Sequence, residues 1–206
     1  MIPSRLLPFG NGGLLAELDD LDAVLSLVGA LADAHPPGIV DVVPAARTVL
    51  VQFDGRISRA AVAKWIRAAA PRQRNRGSAP APVVVPVHYD GPDLAAVADR
   101  TGLTPGEVID LHCGADLTVA FCGFAPGFAY LTGLPAELRV PRRDFPRTRV
   151  PTGSVALADE FTGVYPRHSP GGWQLIGRTD LVVFDLDRSP PALLTPGAAV
   201  RFVPAR

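Results

Sequence analysis

Lysine is almost missing from this 206-residue chain: Lys64 is the only one, and arginine supplies the rest of the positive charge. A phosphate-binding P-loop needs a lysine directly after a glycine. Lys64 follows Ala63 in an Ala-rich stretch, so there is no P-loop. Cysteine is scarce too. Cys113 and Cys122 are too few for a disulfide framework, and no His/Cys spacing matches a zinc site. Both read as small buried hydrophobes. No stretch reaches the roughly 20 apolar residues of a membrane span. The opening MIPSRLLPFGNGG has no apolar run long enough for a signal peptide. Gly10, Gly12 and Gly13 miss the dinucleotide-binding spacing, no G-x-S-x-G elbow exists, and the four histidines form no H-E-x-x-H. The usual self-contained hydrolase engines are therefore absent. Formal net charge is zero, which argues against nucleic acid or an acidic membrane as partner. The expectation is a soluble, cytoplasmic protein with no metal site of its own.

Nearly half the residues are apolar, enough for a sizeable core. Residues 13–87 read as β-α-β-β-α-β. Gly13–Leu18 is a strand. Asp19 or Asp20 caps a helix with Leu21, Val24, Leu25, Val28 and Leu31 on one face. Ile39–Val43 and Thr48–Phe53 form a hairpin. Ser58 caps a second helix with Val62, Trp65, Ile66 and Ala69 on its buried side. Val83–Val87 closes the motif. The spacing thus predicts an α+β, ferredoxin-like domain over 1–88, with a mobile loop at Pro71–Pro82. Asp93–Arg100 and Thr104–His112 are two short helices, the second with a capping box of Thr104 and Glu107. Short strands then follow at Leu117–Cys122, Ser154–Ala158, Trp173–Ile176, Leu181–Phe184 and Ala199–Val203, separated by Gly/Pro-rich loops. They predict a small barrel or sandwich over 89–206.

Three blocks between Gly123 and Thr179 carry chemical signals. Gly123–Tyr130 displays Phe124, Phe128 and Tyr130 around Pro126. It reads either as a turn whose rings plug a barrel end or as the apolar wall of a pocket or interface. Pro141–Pro151 holds Arg142, Arg143, Arg147 and Arg149 between prolines that stiffen the backbone. A solvated basic loop has no need of such stiffening, whereas rigid guanidinium forks suit carboxylate or phosphate. A GC-rich coding bias would by itself explain arginine in place of lysine. In the third block Gly171 and Gly172 can bring backbone amides close to an anion. Trp173 forms a wall there, and Arg178 adds a cation. Ser154, Tyr165, Ser169, Gln174 and Thr179 are the polar candidates beside them. His168 and Ser169 are adjacent in sequence, which does not make a catalytic dyad. No catalytic residue is assigned.

GFAPGFAYL, PRRDFPRTRVPTGSVAL and TGVYPRHSPGGWQLIGRT stand in an order and spacing that resembles the allophanate hydrolase subunit 1 family. That family includes the bacterial 5-oxoprolinase B-subunits and sporulation-kinase inhibitors. VPVHYDGPDLAAVADRTGLTPGEVIDLH and LLTPGAAVRFVP extend the resemblance over residues 83–204, with a weaker match before them. The resemblance implies a cyclophilin-like β-barrel after the N-terminal α+β domain. It implies a composite site shared with a homologous larger subunit, of the allophanate hydrolase subunit 2 or 5-oxoprolinase C-subunit type, and a third subunit. The reaction implied is ATP-dependent hydrolysis of an amide or lactam, 5-oxoproline above all, with ATP shared among subunits and a small anionic substrate. The alternatives it implies are inhibition of a sensor histidine kinase and a part in an allophanate hydrolase or urea carboxylase system. Prolyl isomerase activity would rest on likeness of fold alone. Many members carry Gln-Thr-Gly before the Tyr-Pro step; here Phe161 stands in place of the amide.

Overall fold

A computed structural model describes residues 3–32, 35–69 and 81–205. The chain divides into two compact units, Met1–Gly77 and Ser78–Arg206. The expected loop at Pro71–Pro82 lies almost wholly outside the described residues.

The first unit contains β1 (Arg5–Phe9), β2 (Gly13–Glu17), α1 (Leu21–Leu31), β3 (Ile39–Pro44), β4 (Thr48–Phe53) and α2 (Arg59–Ala68). Its sheet runs β1-β2-β4-β3, antiparallel throughout. Both helices start where side-chain oxygens satisfy amides that a helix leaves orphaned. Asp20 accepts from the Ala23 amide at 2.8 Å, and Ser58 from that of Ala61 at 3.2 Å. Val24, Leu27 and Leu31 of α1 and Val62 and Ile66 of α2 pack on Leu14, Ala16, Val49 and Val51. The β-α-β-β-α-β reading needs one correction. Val83–Val87 does not close this sheet; the edge beside β2 is taken by β1, which the sequence pattern had not marked as a strand.

Val83–Val87 is instead β5 of the second unit, paired in parallel with β13 (Ala199–Pro204). The boundary therefore falls before this strand rather than at residue 88. After β5 come α3 (Leu94–Thr101) and α4 (Pro105–Gly114). The Thr104/Glu107 capping box of α4 is formed from both sides. Strands β6 (Leu117–Cys122), β7 (Ala129–Thr132), β9 (Ser154–Ala158), β10 (Phe161–Val164) and β12 (Gln174–Arg178) complete a seven-stranded sheet ordered β12-β9-β10-β7-β6-β13-β5. A small ribbon joins β8 (Arg147–Val150) to β11 (Ser169–Gly171). The expected strand at Leu181–Phe184 reduces to a single bridge, Phe184 to Ala192. Pro190 and Pro191 interrupt its partner segment, and proline donates nothing to a ladder.

The two ends of the seven-stranded sheet meet. His88 and Arg178 exchange backbone hydrogen bonds of 2.8 and 2.9 Å. The amides of Gly91 and Asp93 donate to the carbonyls of Ile176 and Leu175. The 88–93 segment thus laces β5 to β12 and nearly closes a barrel, which fits the expected cyclophilin-like architecture. The seam leaves no room for side chains at two points. A Cβ on Gly91 would sit 2.3 Å from the Leu175 carbonyl oxygen, and one on Gly177 would sit 2.6 Å from that of His88. Apolar side chains from both sides, including Val85, Val119, Leu131, Leu157, Ile176 and Phe202, fill the interior.

Candidate functional site

A cleft of about 390 Å³ opens at this seam. The lacing segment contributes Asp90, Gly91 and Pro92. The β8 strand and the loop after it contribute Arg147, Arg149, Pro151 and Thr152. Ser154, Leu175, Gly177 and Arg178 form the remaining wall.

The cleft is held by a carboxylate that the sequence reading had placed only at the start of a helix. Asp93 is 3 % exposed. Its Oδ1 accepts from Arg143 Nη1 and Arg147 Nη2, each at 2.8 Å, and its Oδ2 accepts the Leu175 amide at 2.7 Å. Burial pushes this carboxyl up. The Arg147 hydrogen bond, the Leu175 amide and the charges of Arg147 and Arg143 outweigh it and hold the group below its ordinary range. One residue thereby fastens the barrel seam and orients two arginines that lie 50 and 54 positions further along. The Nη1 of Arg147 is buried and has no hydrogen-bond partner. Arg178 donates from Nε to Asp90 Oδ2 at 3.0 Å and lies 3.8 Å from Asp180. Arg149 is exposed and forms no ion pair among the described residues. Ser154 lines the cleft with its hydroxyl donating to the Pro151 carbonyl at 2.8 Å, which leaves only its lone pairs for a ligand.

The other expected residues are distributed differently. Arg142 faces Asp159 at 3.4 Å. At the two glycines, the Gly172 carbonyl accepts the Arg143 amide at 2.7 Å, and Gly171 abuts the Tyr165 ring. Gln174 donates to the Pro141 carbonyl at 3.0 Å, anchoring the arginine loop. The Thr179 hydroxyl accepts the Leu181 amide. Ser169, paired with Val150 in the β8–β11 ribbon, has a buried hydroxyl without a partner and does not line the cleft.

Phe124, Phe128, Tyr130, Tyr165 and Trp173 come together as an aromatic cluster, with Phe121 and Phe161 behind Tyr130. Ring centroids lie 4.5–6.5 Å apart and most pairs meet edge to face, the geometry aromatic quadrupoles favour. Phe128 is buried at its centre. Burial raises the Tyr165 phenol to about 12. Phe124 is 59 % exposed and has φ of +68°, a backbone conformation rare for a residue with a side chain. Pro126, beside it, is exposed. Phe161 packs edge-on against Phe121 and Tyr130, so its ring belongs to the aromatic cluster.

Sequence reasoning missed Asp90, Gly91, Asp93 and Thr152. The string Asp90-Gly91-Pro92-Asp93 shows a turn and a helix start, and nothing in its spacing reveals partners 50 to 88 residues distant. Among the described residues no group of three or more His, Cys, Asp or Glu stands together to hold a metal, and no helix is long and apolar enough to cross a membrane.

Residues 4–194 match the model of the carboxyltransferase domain, subdomain C and D. The chain is 51 % identical to the B-subunit of 5-oxoprolinase from Escherichia coli O157:H7, over 60 % of its own length and 58 % of that protein. It is 48 % identical to that of Bacillus subtilis (strain 168), over 59 % of its own length and 52 % of the relative. It thus spans little more than half of the curated relatives it matches. Among solved structures, TTHA0988 matches with a TM-score of 0.79 at 37 % identity, over 94 % of this chain and 40 % of that one. The Kluyveromyces lactis urea carboxylase shares the fold, with a TM-score of 0.71 at 20 % identity over all of this chain and 23 % of that one. The match to the domain model covers most of the barrel and the unit before it, and the chain belongs to the carboxyltransferase domain, subdomain C and D, family.

Proposed function

We propose that the chain is one subunit of a heteromeric, ATP-dependent hydrolase that opens the lactam of 5-oxo-L-proline to L-glutamate, with ATP and water giving ADP and phosphate. The observation that carries this reading is a cleft rich in arginine but without a paired base and nucleophile, on a chain about half identical, over some three fifths of its length, to proteins named as the B-subunit of 5-oxoprolinase. Three guanidinium groups can bind and orient an acid, and no paired base and nucleophile stands beside them to cleave it. The chain therefore supplies half a site, and a homologous larger subunit, with a third, completes it. ATP fits this cleft poorly. There is no lysine-bearing glycine loop, and Asp90 lines the wall. The nucleotide step accordingly belongs to the partner subunits, and this chain binds and orients the substrate.

The test is reconstitution from purified subunits, following ADP release with and without 5-oxoproline. Release should require both the acid and this chain. ADP release indifferent to 5-oxoproline refutes the named substrate, and full activity of the partners alone refutes the subunit role.

A further inference from the structure

We propose that Tyr89 and His112 are positioning residues of the cleft: His112, fixed inside the barrel, holds the Tyr89 hydroxyl, and Tyr89 holds the lip that carries Asp90. The inference rests on this cleft being the substrate-binding site proposed above.

The lip leaves β5 in an extended course, so alternate side chains face opposite ways. Val87 and Tyr89 pack on the barrel core. Asp90 faces the other way, lines the cleft and accepts from Arg178 Nε at 3.0 Å. The backbone bonds at His88 and Gly91 set where the lip runs. The Tyr89 ring sets how the lip is turned about its own axis, and with it where the Asp90 carboxylate points.

The Tyr89 hydroxyl stands 2.7 Å from His112 Nδ1 and 3.2 Å from Cys113 Sγ. His112 lies in the last turn of α4 and is fully buried. Its Nε2 stands 2.9 Å from Oγ1 of Thr162 on β10, itself fully buried. Its ring stacks on Phe202 of β13, with centroids 4.4 Å apart. A helix and two strands of the barrel thus fix one imidazole. Leucine would fill this place with no ring nitrogens to satisfy, and an unbonded polar atom in an apolar core is costly. What histidine adds is direction. Both of its nitrogens are bonded, and a fully bonded polar network admits one arrangement where an apolar contact admits several. The network ends on the one residue of the lip that reaches inward beside Asp90.

Two variants of the full chain test the proposal. Tyr89→Phe keeps the ring and deletes the bond. The Gly91 and Arg178 amides should then exchange with deuterium about fivefold faster, the effect of one ordinary hydrogen bond, while those of β3 and β4 keep their rates. Tyr89→Phe/His112→Leu/Thr162→Val removes every fully buried polar member, so no such group is left orphaned. Its denaturation midpoint should recover that of the unaltered chain, and the two amides should stay fast. A merely structural role predicts that both recover together. In the reconstituted enzyme, Tyr89→Phe should raise the KM for 5-oxoproline about fivefold and leave kcat within about twofold, because the lip binds and does not cleave. Unchanged exchange at Gly91 and Arg178 in Tyr89→Phe, exchange that recovers along with stability in the triple variant, or an unchanged KM in an enzyme that does turn over 5-oxoproline overturns the proposal. An unaltered reconstituted enzyme indifferent to 5-oxoproline would instead refute the substrate named above, and the exchange rates would still decide whether Tyr89 and His112 hold the lip.

Discussion

The arginine cleft and the aromatic cluster both draw on the loop-rich stretch between Gly123 and Thr179, yet they are held together differently. The aromatic rings meet within that stretch: Phe128, Tyr165 and Trp173 are each other's neighbours. Apolar association is non-directional, so any ring within reach will serve. The arginines cannot be satisfied that way. Arg143 and Arg147 need a desolvated carboxylate, and the chain supplies it from Asp93 on the far side of the seam. Charges near the interior demand a particular partner, and that partner is free to lie anywhere in sequence. On the proposed function, the cluster serves stability and the cleft serves recognition.

Substitutions can break that division. Phe128→Ala should have the largest effect, a loss of about 3–5 kcal/mol on chemical denaturation, as for other large-to-small core changes. Its acid affinity, measured well below the denaturation midpoint, should stay within twofold of the unaltered chain. A large loss of affinity would mean that the two regions are one site.

Asp93→Asn should come next. It removes the charge that faces two half-buried guanidinium groups. The cost should be about 2–3 kcal/mol, less than for a fully buried pair because both arginines keep some contact with water. Unlike Phe128→Ala, it should also lose acid binding, because Arg147 is no longer held in place. Its contribution has a defined pH sense. The folded carboxyl lies below its ordinary value, so the stabilisation is complete above the unfolded value, near 3.8, and disappears as pH falls through the folded one. The Asn variant should lack that acid limb.

A third polar group shows what happens without a counter-charge. His112 is fully buried, with Nδ1 2.7 Å from the Tyr89 hydroxyl, Nε2 2.9 Å from Thr162 Oγ1, and its ring stacked on Phe202. Burial pushes its pKa down to about 3. The unfolded chain takes up the proton near 6.5 and the folded chain does not, so stability should decline as pH falls from about 6.5 toward 3. Denaturation midpoints across that range should slope downward, and His112→Gln should flatten the slope. Phe124→Ala should matter least to stability, within about 0.5 kcal/mol, since its ring is mostly in water. Its thermal midpoint should be unmoved.

Much of the fold was legible in the sequence because it is locally encoded. Asp20, Ser58 and Thr104 cap their helices from within one turn, and β-branched runs mark β3, β4, β5 and β6. What failed was pairing. The pattern of Val83–Val87 announces a strand and does not say which sheet it joins; its partner lies more than 110 residues later in β13. The candidate site was legible in part for the same reason. Arg147, Arg149, Ser154 and Arg178 stood out in runs and do line the cleft. Asp90 and Asp93 did not, since a lone aspartate before a helix looks like a cap. Gln174 and Thr179 looked available for ligand, and their side chains turn out to bond within the loops themselves.

The lacing of β5 to β12 has a dynamic consequence. Asp90 and Gly91 lie on one side of that seam and Gly177 and Arg178 on the other, so a molecule in the cleft touches both lips at once. Occupancy then acts as a clasp: any opening of the seam must first release the ligand. Amide protons of His88, Gly91 and Arg178 should exchange with deuterium more slowly when the cleft is filled, while those of β3 and β4 keep their rates. The barrel would thus record its own loading in the breathing of three hydrogen bonds.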